Sequence, residues 1–274
     1  MAATDARIPG LRALSTVLLT LLGVAAGAEA RADETLVVPM HAYEVQHLIL
    51  PARVQNQLSI ALVQDFGLGT GADVCSRQSQ LESGYACFRH GGSQYHGTPE
   101  PGRGGEVGSV LQPATARFLV GYDRVVLENL TFGVRVGYVL HGGGPRESGA
   151  DGASFLPFHG ELRAGYTFGA SPFRLAGLRW SLFVTGGVAQ VDTEHRVFIR
   201  EDQSVPPPTS QLDNPPTQTL SAYKRAGTGF VGGGAAVTWA VTRATGFTLG
   251  LRVTRFFPSA GTAFSPEIGW NLGF

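Results

Sequence analysis

The sequence is poor in charge: Asp, Glu, Lys and Arg make up 15% of its 274 residues, against about 25% in an average soluble domain. The 21 basic and 21 acidic side chains cancel, so there is no electrostatic footprint for nucleic acid as a partner. Beyond Ala28 no unbroken apolar run reaches the length of a membrane-crossing helix, about 20 residues, which excludes a helical membrane protein. The catalytic signatures Gly-x-Ser-x-Gly and His-Glu-x-x-His are both missing. Glycine-rich 227–234 lacks the Lys-Ser/Thr of a phosphate loop and opens a strand, so no nucleotide site is read there. There are only two cysteines, Cys75 and Cys87. Neighbouring His90 and His96 do not stand at zinc-ligand spacing, so neither a metal nor a cofactor is expected.

Arg7 and Arg12 precede an apolar run over 14–28, which ends in the small-x-small triplets Ala28-Glu-Ala30 and Ala30-Arg-Ala32. A basic start, a short apolar stretch and small residues at the cleavage point describe a secretory signal peptide. Residues 1–32 are therefore expected to be removed, 33–53 to form a periplasmic lead, and 54–274 to form the folded unit. In an exported protein the default for Cys75 and Cys87 is one disulfide closing a short loop.

Glycine is abundant, at 38 residues, and the remaining pattern has period two. Apolar residues share one parity from Leu58 to Leu62, Ala116 to Tyr122, Leu130 to Leu140, Phe158 to Phe168, Trp180 to Val188, Val231 to Val241 and Phe247 to Val253. Phe264, Ile268, Trp270, Leu272 and Phe274 continue the pattern to the last residue, opposite Ser265, Glu267, Gly269, Asn271 and Gly273. Successive side chains of a strand point to opposite faces, so each stretch has an apolar face and a polar or small one. Lipid outside and a polar interior demand that alternation, over about 9–11 residues per crossing. The census gives eight strands, an even number, and the first, third, fifth and seventh connections include the three longest. Tyr122, Phe132, Tyr166, Phe168, Trp180, Trp239, Phe247 and Phe274 fall at strand ends on one side, with Tyr138, Phe158 and Phe264 on the other, as interfacial girdles require.

These features resemble the small outer-membrane β-barrels of the OmpA/OmpX type, over about residues 54–274. The resemblance rests on the strand pattern and the closing strand Phe264–Phe274, not on a family motif. It implies an all-β fold, an eight-stranded antiparallel transmembrane up-and-down barrel in the bacterial outer membrane. It also implies outer-membrane lipids and the barrel assembly machinery as partners, the latter reading the terminal strand. The chain departs from the pattern in its lead, with Pro39 and Pro51, and in its long loops at about 67–113 and 193–227. The second loop carries Pro206-Pro207-Pro208 and Pro215-Pro216. Proline has no ladder donor, so both loops are expected to contain loop or polyproline segments and no extra strands.

The inward parity holds Arg117, Arg135, Glu161, Arg163, Arg252 and Glu267. Eight strands enclose a space that side chains can fill, and charges there must pair with each other or with water. The expected result is a polar core. A narrow anion-preferring pore is the alternative, because these Arg outnumber these Glu. His159, Glu161, Ser154 and Ser181 are the residues a lipid-hydrolysing enzyme would need, but no nucleophile stands at a recognisable spacing from His159. The chain is read as a non-enzymatic barrel with a structural or surface-contact role carried by its outer loops. No ligand for those loops is legible.

Overall fold

The computed structural model describes residues 54–142, 155–169, 176–206 and 215–274. The signal peptide, the lead and Ser154 lie outside the described residues. In chain order the elements are β1 (Asn56–Gly71), α1 (Arg77–Glu82), β2 (Tyr85–Phe88), β3 (Pro99–Gly104), β4 (Val107–Val125), β5 (Leu130–His141), β6 (Phe158–Thr167), β7 (Gly177–Val188), β8 (Val191–Glu201), β9 (Thr217–Ala226), β10 (Gly229–Ala240), β11 (Thr245–Phe257) and β12 (Gly261–Gly273). Eight strands close in the order β1-β12-β11-β10-β7-β6-β5-β4, each antiparallel to its neighbours. Closure leaves no unpaired strand edge, which a bilayer would not tolerate.

The last strand seals the barrel. Leu58, Ile60, Leu62 and Phe66 of β1 stand opposite Leu272, Trp270, Ile268 and Phe264 of β12. The Phe274 N–H donates to Asn56 O at 2.9 Å, and its carbonyl accepts from Asn56 N at 3.0 Å. On every barrel strand the apolar parity faces outward: Leu58, Ile60, Leu62, Val134, Val136, Leu162, Leu249, Leu251 and Ile268 are all exposed. An exposed apolar belt that runs around a closed barrel has hydrocarbon as its solvent. The ring side chains at the periplasmic end are exposed as well, Trp180 at 62% and Trp239 at 56%.

Both long loops contain strands, contrary to the sequence reading. β2, β9, β8 and β3 form a second sheet in that order, with β2 and β3 supplied by the first connection and the β8–β9 hairpin by the fifth. Pro206, Pro215 and Pro216 stand beyond the hairpin's paired residues, so they do not interrupt its ladder. Pro99 and Pro101 lie in β3, an edge strand paired only irregularly with β8, where a missing donor is tolerated. The signal was there to read. Val191, Thr193, His195, Val197 and Ile199 are buried, while Glu194, Arg196, Phe198 and Arg200 between them are exposed.

This second sheet roofs the barrel. The hairpin rises from β7 and β10, bends at 189–190 and 227–228, and reaches β1 and β4, which stand diametrically opposite in the ring. There the Asp192 N–H donates to Thr115 Oγ1 at 3.1 Å. Gly67 and Gly69 of β1 face inward under the hairpin, and a β-carbon at either would overlap Thr193 or the His195 ring. Above the mouth, Val74, Cys75, Tyr85, Cys87, Tyr95, Val197, Ile199 and Leu220 form a buried core. Cys75 and Cys87 are joined in it as a disulfide, with a Cα–Cα distance of 5.6 Å. Beside them the Tyr95 hydroxyl donates to Glu201, which also accepts from Thr98 N and Gln218 Nε2, each at 3.2 Å. Burial, followed by the Glu201 carboxylate, pushes the Tyr95 phenol well up, so it remains a donor at any working pH.

The disulfide constrains the roof and not the barrel wall. For a loop of this length chain entropy suggests about 3 kcal/mol of stabilisation. The Cys75→Ser/Cys87→Ser double variant should therefore show faster proteolysis within 72–106 and 191–226. It should still run faster unheated than boiled on SDS gels; loss of that shift would contradict a self-sufficient barrel.

Candidate functional site

The candidate site is the lumen, which alternation lines with one side chain in two from every barrel strand. Its inner end is polar and small, with a cavity of about 60 Å³ bordered by Gln57, Asp123, Thr131, Arg135, Arg163 and Asn271 among others. The middle layer is ionic. Its outer end is apolar: Ala114, Ala189, Val191, Phe230, Phe256 and Ala263 pack as one buried cluster beneath the roof.

All six charged residues expected inside are brought together there. Arg135 donates to Glu267 Oε2 at 3.1 Å and Arg163 to Glu267 Oε1 at 3.3 Å. The Arg163 guanidinium lies 3.6 Å from the centre of the Phe183 ring, a favourable stacking for a planar cation. Arg252 pairs with Glu161 Oε2, which also receives His159 Nε2 at 3.0 Å. Glu161 Oε1 has no hydrogen-bond partner among the described residues, but Arg135 stands opposite Glu161 in the ladder. Arg117, 1% exposed, holds three elements at once. Its Nε donates to Asp65 Oδ2 at 2.7 Å, one terminal nitrogen lies 3.1 Å from His159 Nδ1, and the other donates to Gln190 O at 2.7 Å. Ser265 Oγ completes the layer by donating to Asp65 Oδ1 at 2.6 Å.

The hydrogen-bond directions fix the state of His159. Arginine only donates, so Nδ1 accepts from Arg117 and the ring proton sits on Nε2, directed at Glu161. The imidazole is a neutral relay between two ion pairs and has no lone pair left for a base. Ser181, the described serine of the imagined hydrolase set, pairs with Thr167, eight residues along β6 from His159. Its hydroxyl donates to Ala236 O at 3.4 Å. The two residues are not brought together.

Sequence reasoning missed two carboxylates. Asp65 lies beyond Leu62, where the alternation read from the sequence ends, at a register shift between β1 and β4. Asp123 stands on the inward parity, in addition to the six charges read from the sequence, and it acts on both Arg135 and Arg163. Among the described residues Arg117, Arg135, Arg163 and Arg252 are thus matched by Asp65, Asp123, Glu161 and Glu267. The excess of Arg over Glu, which favoured an anion pore, disappears. Extending the period-two rule through Val63 to Asp65 was the available signal.

The chain is an integral β-barrel of the outer membrane. Closure, an apolar belt, ring girdles and a lumen of paired charges together have no other solvent. No family model matches the sequence, and no curated protein is detectably similar to it. The N-terminal β-barrel domain of Pseudomonas aeruginosa OprF is similar in structure at 10% identity and a TM-score of 0.34, over 80% of this chain and 100% of that one. Ail, the attachment invasion locus protein of Yersinia pestis, aligns at 9% identity and a TM-score of 0.35, over 81% and 100%. The outer membrane protein OprG of Pseudomonas aeruginosa aligns at 8% identity and a TM-score of 0.29, over 82% and 99%. No residue role is carried over from any of them.

Removing one partner of a buried pair strands the other, at about 3–5 kcal/mol. Glu161→Gln should lower barrel stability by that order in urea unfolding from lipid vesicles, since Arg252 loses its counter-charge. A loss below ~1 kcal/mol would mean that water already screens the layer.

A second prediction concerns the roof. Burial, followed by Lys224, holds the His195 imidazole below its ordinary value, with Glu194 opposing. Its Nε2 has no hydrogen-bond partner among the described residues. The docked hairpin therefore binds fewer protons than an undocked one. Docking should be fully stable above the ordinary imidazole value of about 6.5 and weaken as pH falls through it, levelling off at the depressed value. Hydrogen exchange over 191–201 should rise on acidification, and His195→Gln should abolish that rise.

Proposed function

We propose that this barrel is a non-enzymatic surface protein whose structural and contact role is carried by the roof over its outer mouth. The observation that carries this reading is the disulfide-linked sheet β2-β9-β8-β3. A polar core and an apolar layer beneath it leave little room for a solute path. The sheet's outer face offers Phe198, 57% exposed, between Arg196 and Arg200. An exposed ring flanked by arginines is chemistry suited to contact with other surfaces. The leader over 1–32 would be removed on export, and the strand ending at Phe274 would serve as the address for the assembly machinery.

The lumen's polar inner end supports a narrow pore as a second reading, since the 60 Å³ cavity is bordered by charged side chains. Two measurements on reconstituted protein decide among the classes. We expect no steady single-channel conductance in planar bilayers and no acyl release from outer-leaflet lipid. An anion-selective conductance that changes in Arg135→Ala would establish the pore instead, and acyl release abolished by His159→Ala would establish an enzyme.

A further inference from the structure

Arg255 lies on the outward parity of β11, in register with Thr262 of β12, which faces Leu68 of β1. From Leu58 to Leu68 is one lipid crossing of about 9–11 residues, so this rung marks the outer limit of the apolar belt. Leu68, Val253 and Phe257 beside it are exposed. One guanidinium nitrogen of Arg255 donates to Thr262 Oγ1 at 2.8 Å. Thr262 and Lys224 both border a narrow cleft between the foot of the roof and the barrel wall. The cleft's volume is about 10 Å³, too small for more than one water, so a larger group would rest on its mouth.

The Lys224 ammonium rests 5.0 Å from the centre of the Tyr85 ring. Among the described residues neither Lys224 nor Arg255 has a carboxylate partner. They act on each other instead: after burial, Arg255 is the influence that holds the Lys224 ammonium below its usual value. Like charges set close together are unfavourable unless an anion comes between them.

We infer that Lys224 and Arg255 form a clasp for a phosphate ester of the outer-leaflet glycolipid, with Leu68, Val253 and Phe257 receiving its acyl chains. Two cations converging on one phosphate give short charge-assisted hydrogen bonds, and their position at the rim of the apolar belt selects a lipid-borne phosphate over a free one. The inference rests on the membrane placement of the barrel and not on the contact role proposed above.

The test is native mass spectrometry of the folded full chain in detergent, titrated with diphosphorylated lipid A, with the same lipid enzymatically dephosphorylated, and with inorganic phosphate. The phosphorylated lipid should bind about tenfold or more tightly than the dephosphorylated one, the ratio expected for two charged hydrogen bonds, and inorganic phosphate should not compete at millimolar concentration. Lys224→Gln with Arg255→Gln should erase the preference, and Arg255→Lys should keep most of it. Equal binding of the two lipids by the unaltered protein would overturn the clasp, whether or not the variants fold, and so would competition by inorganic phosphate. Heat-modifiability of each sample separates failure of the clasp from failure of the barrel.

Discussion

Arg117 is the side chain on which the rest of the lumen depends. Almost fully buried, it holds Asp65 on β1, His159 on β6 and the Gln190 carbonyl at the bend of the roofing hairpin. Wall, polar core and roof therefore share one guanidinium. The constraint behind it is dielectric: a charge enclosed by a wall that faces hydrocarbon must be paired and hydrogen-bonded or it destabilises the fold. Arginine suits the position because its planar fork offers several donors in fixed directions and is always charged.

The roof follows from the same economy of space. A hairpin rising from β7 and β10 can pack on β1 and β4 only if something small faces it there, and Gly67 and Gly69 supply that gap. Beneath the hairpin, Phe230 packs between His159 and Phe256, with ring centroids at 5.3 Å and 5.9 Å. The lumen thus changes from ionic to apolar within one layer. Above it the first connection adds an edge strand on each side of the hairpin, and the Cys75–Cys87 bridge ties down the turn that leads to them.

The ion layer also bears on function. His159 and Glu161 look like catalytic residues on paper, but Arg117 and Arg252 engage them on both sides. A base needs a free lone pair directed at a substrate, and this histidine's is already occupied. The groups that face outward are different in kind: Phe198 and its flanking arginines over the mouth, and Arg255 at the rim of the lipid belt.

The sequence by itself determined the wall. Side chains of a strand alternate with a period of two, and lipid on one face punishes any lapse, so eight stretches and six of their inward charges could be read directly, down to the closing strand that ends at Phe274. Cys75 and Cys87 were legible for a similar local reason, two thiols close together in an exported chain. The tertiary structure decided what closes the barrel. That β8 and β9 are strands was written in the alternation from Val191 to Ile199 but obscured by the prolines at their tip. That the hairpin crosses to β1, and that Asp65 and Asp123 balance the four arginines, depends on which residues face one another across the lumen. Asp65 meets Arg117 across 52 residues of sequence and Ser265 across 200. Local periodicity carries no information about such contacts, because it fixes the face a side chain occupies and not the partner it meets.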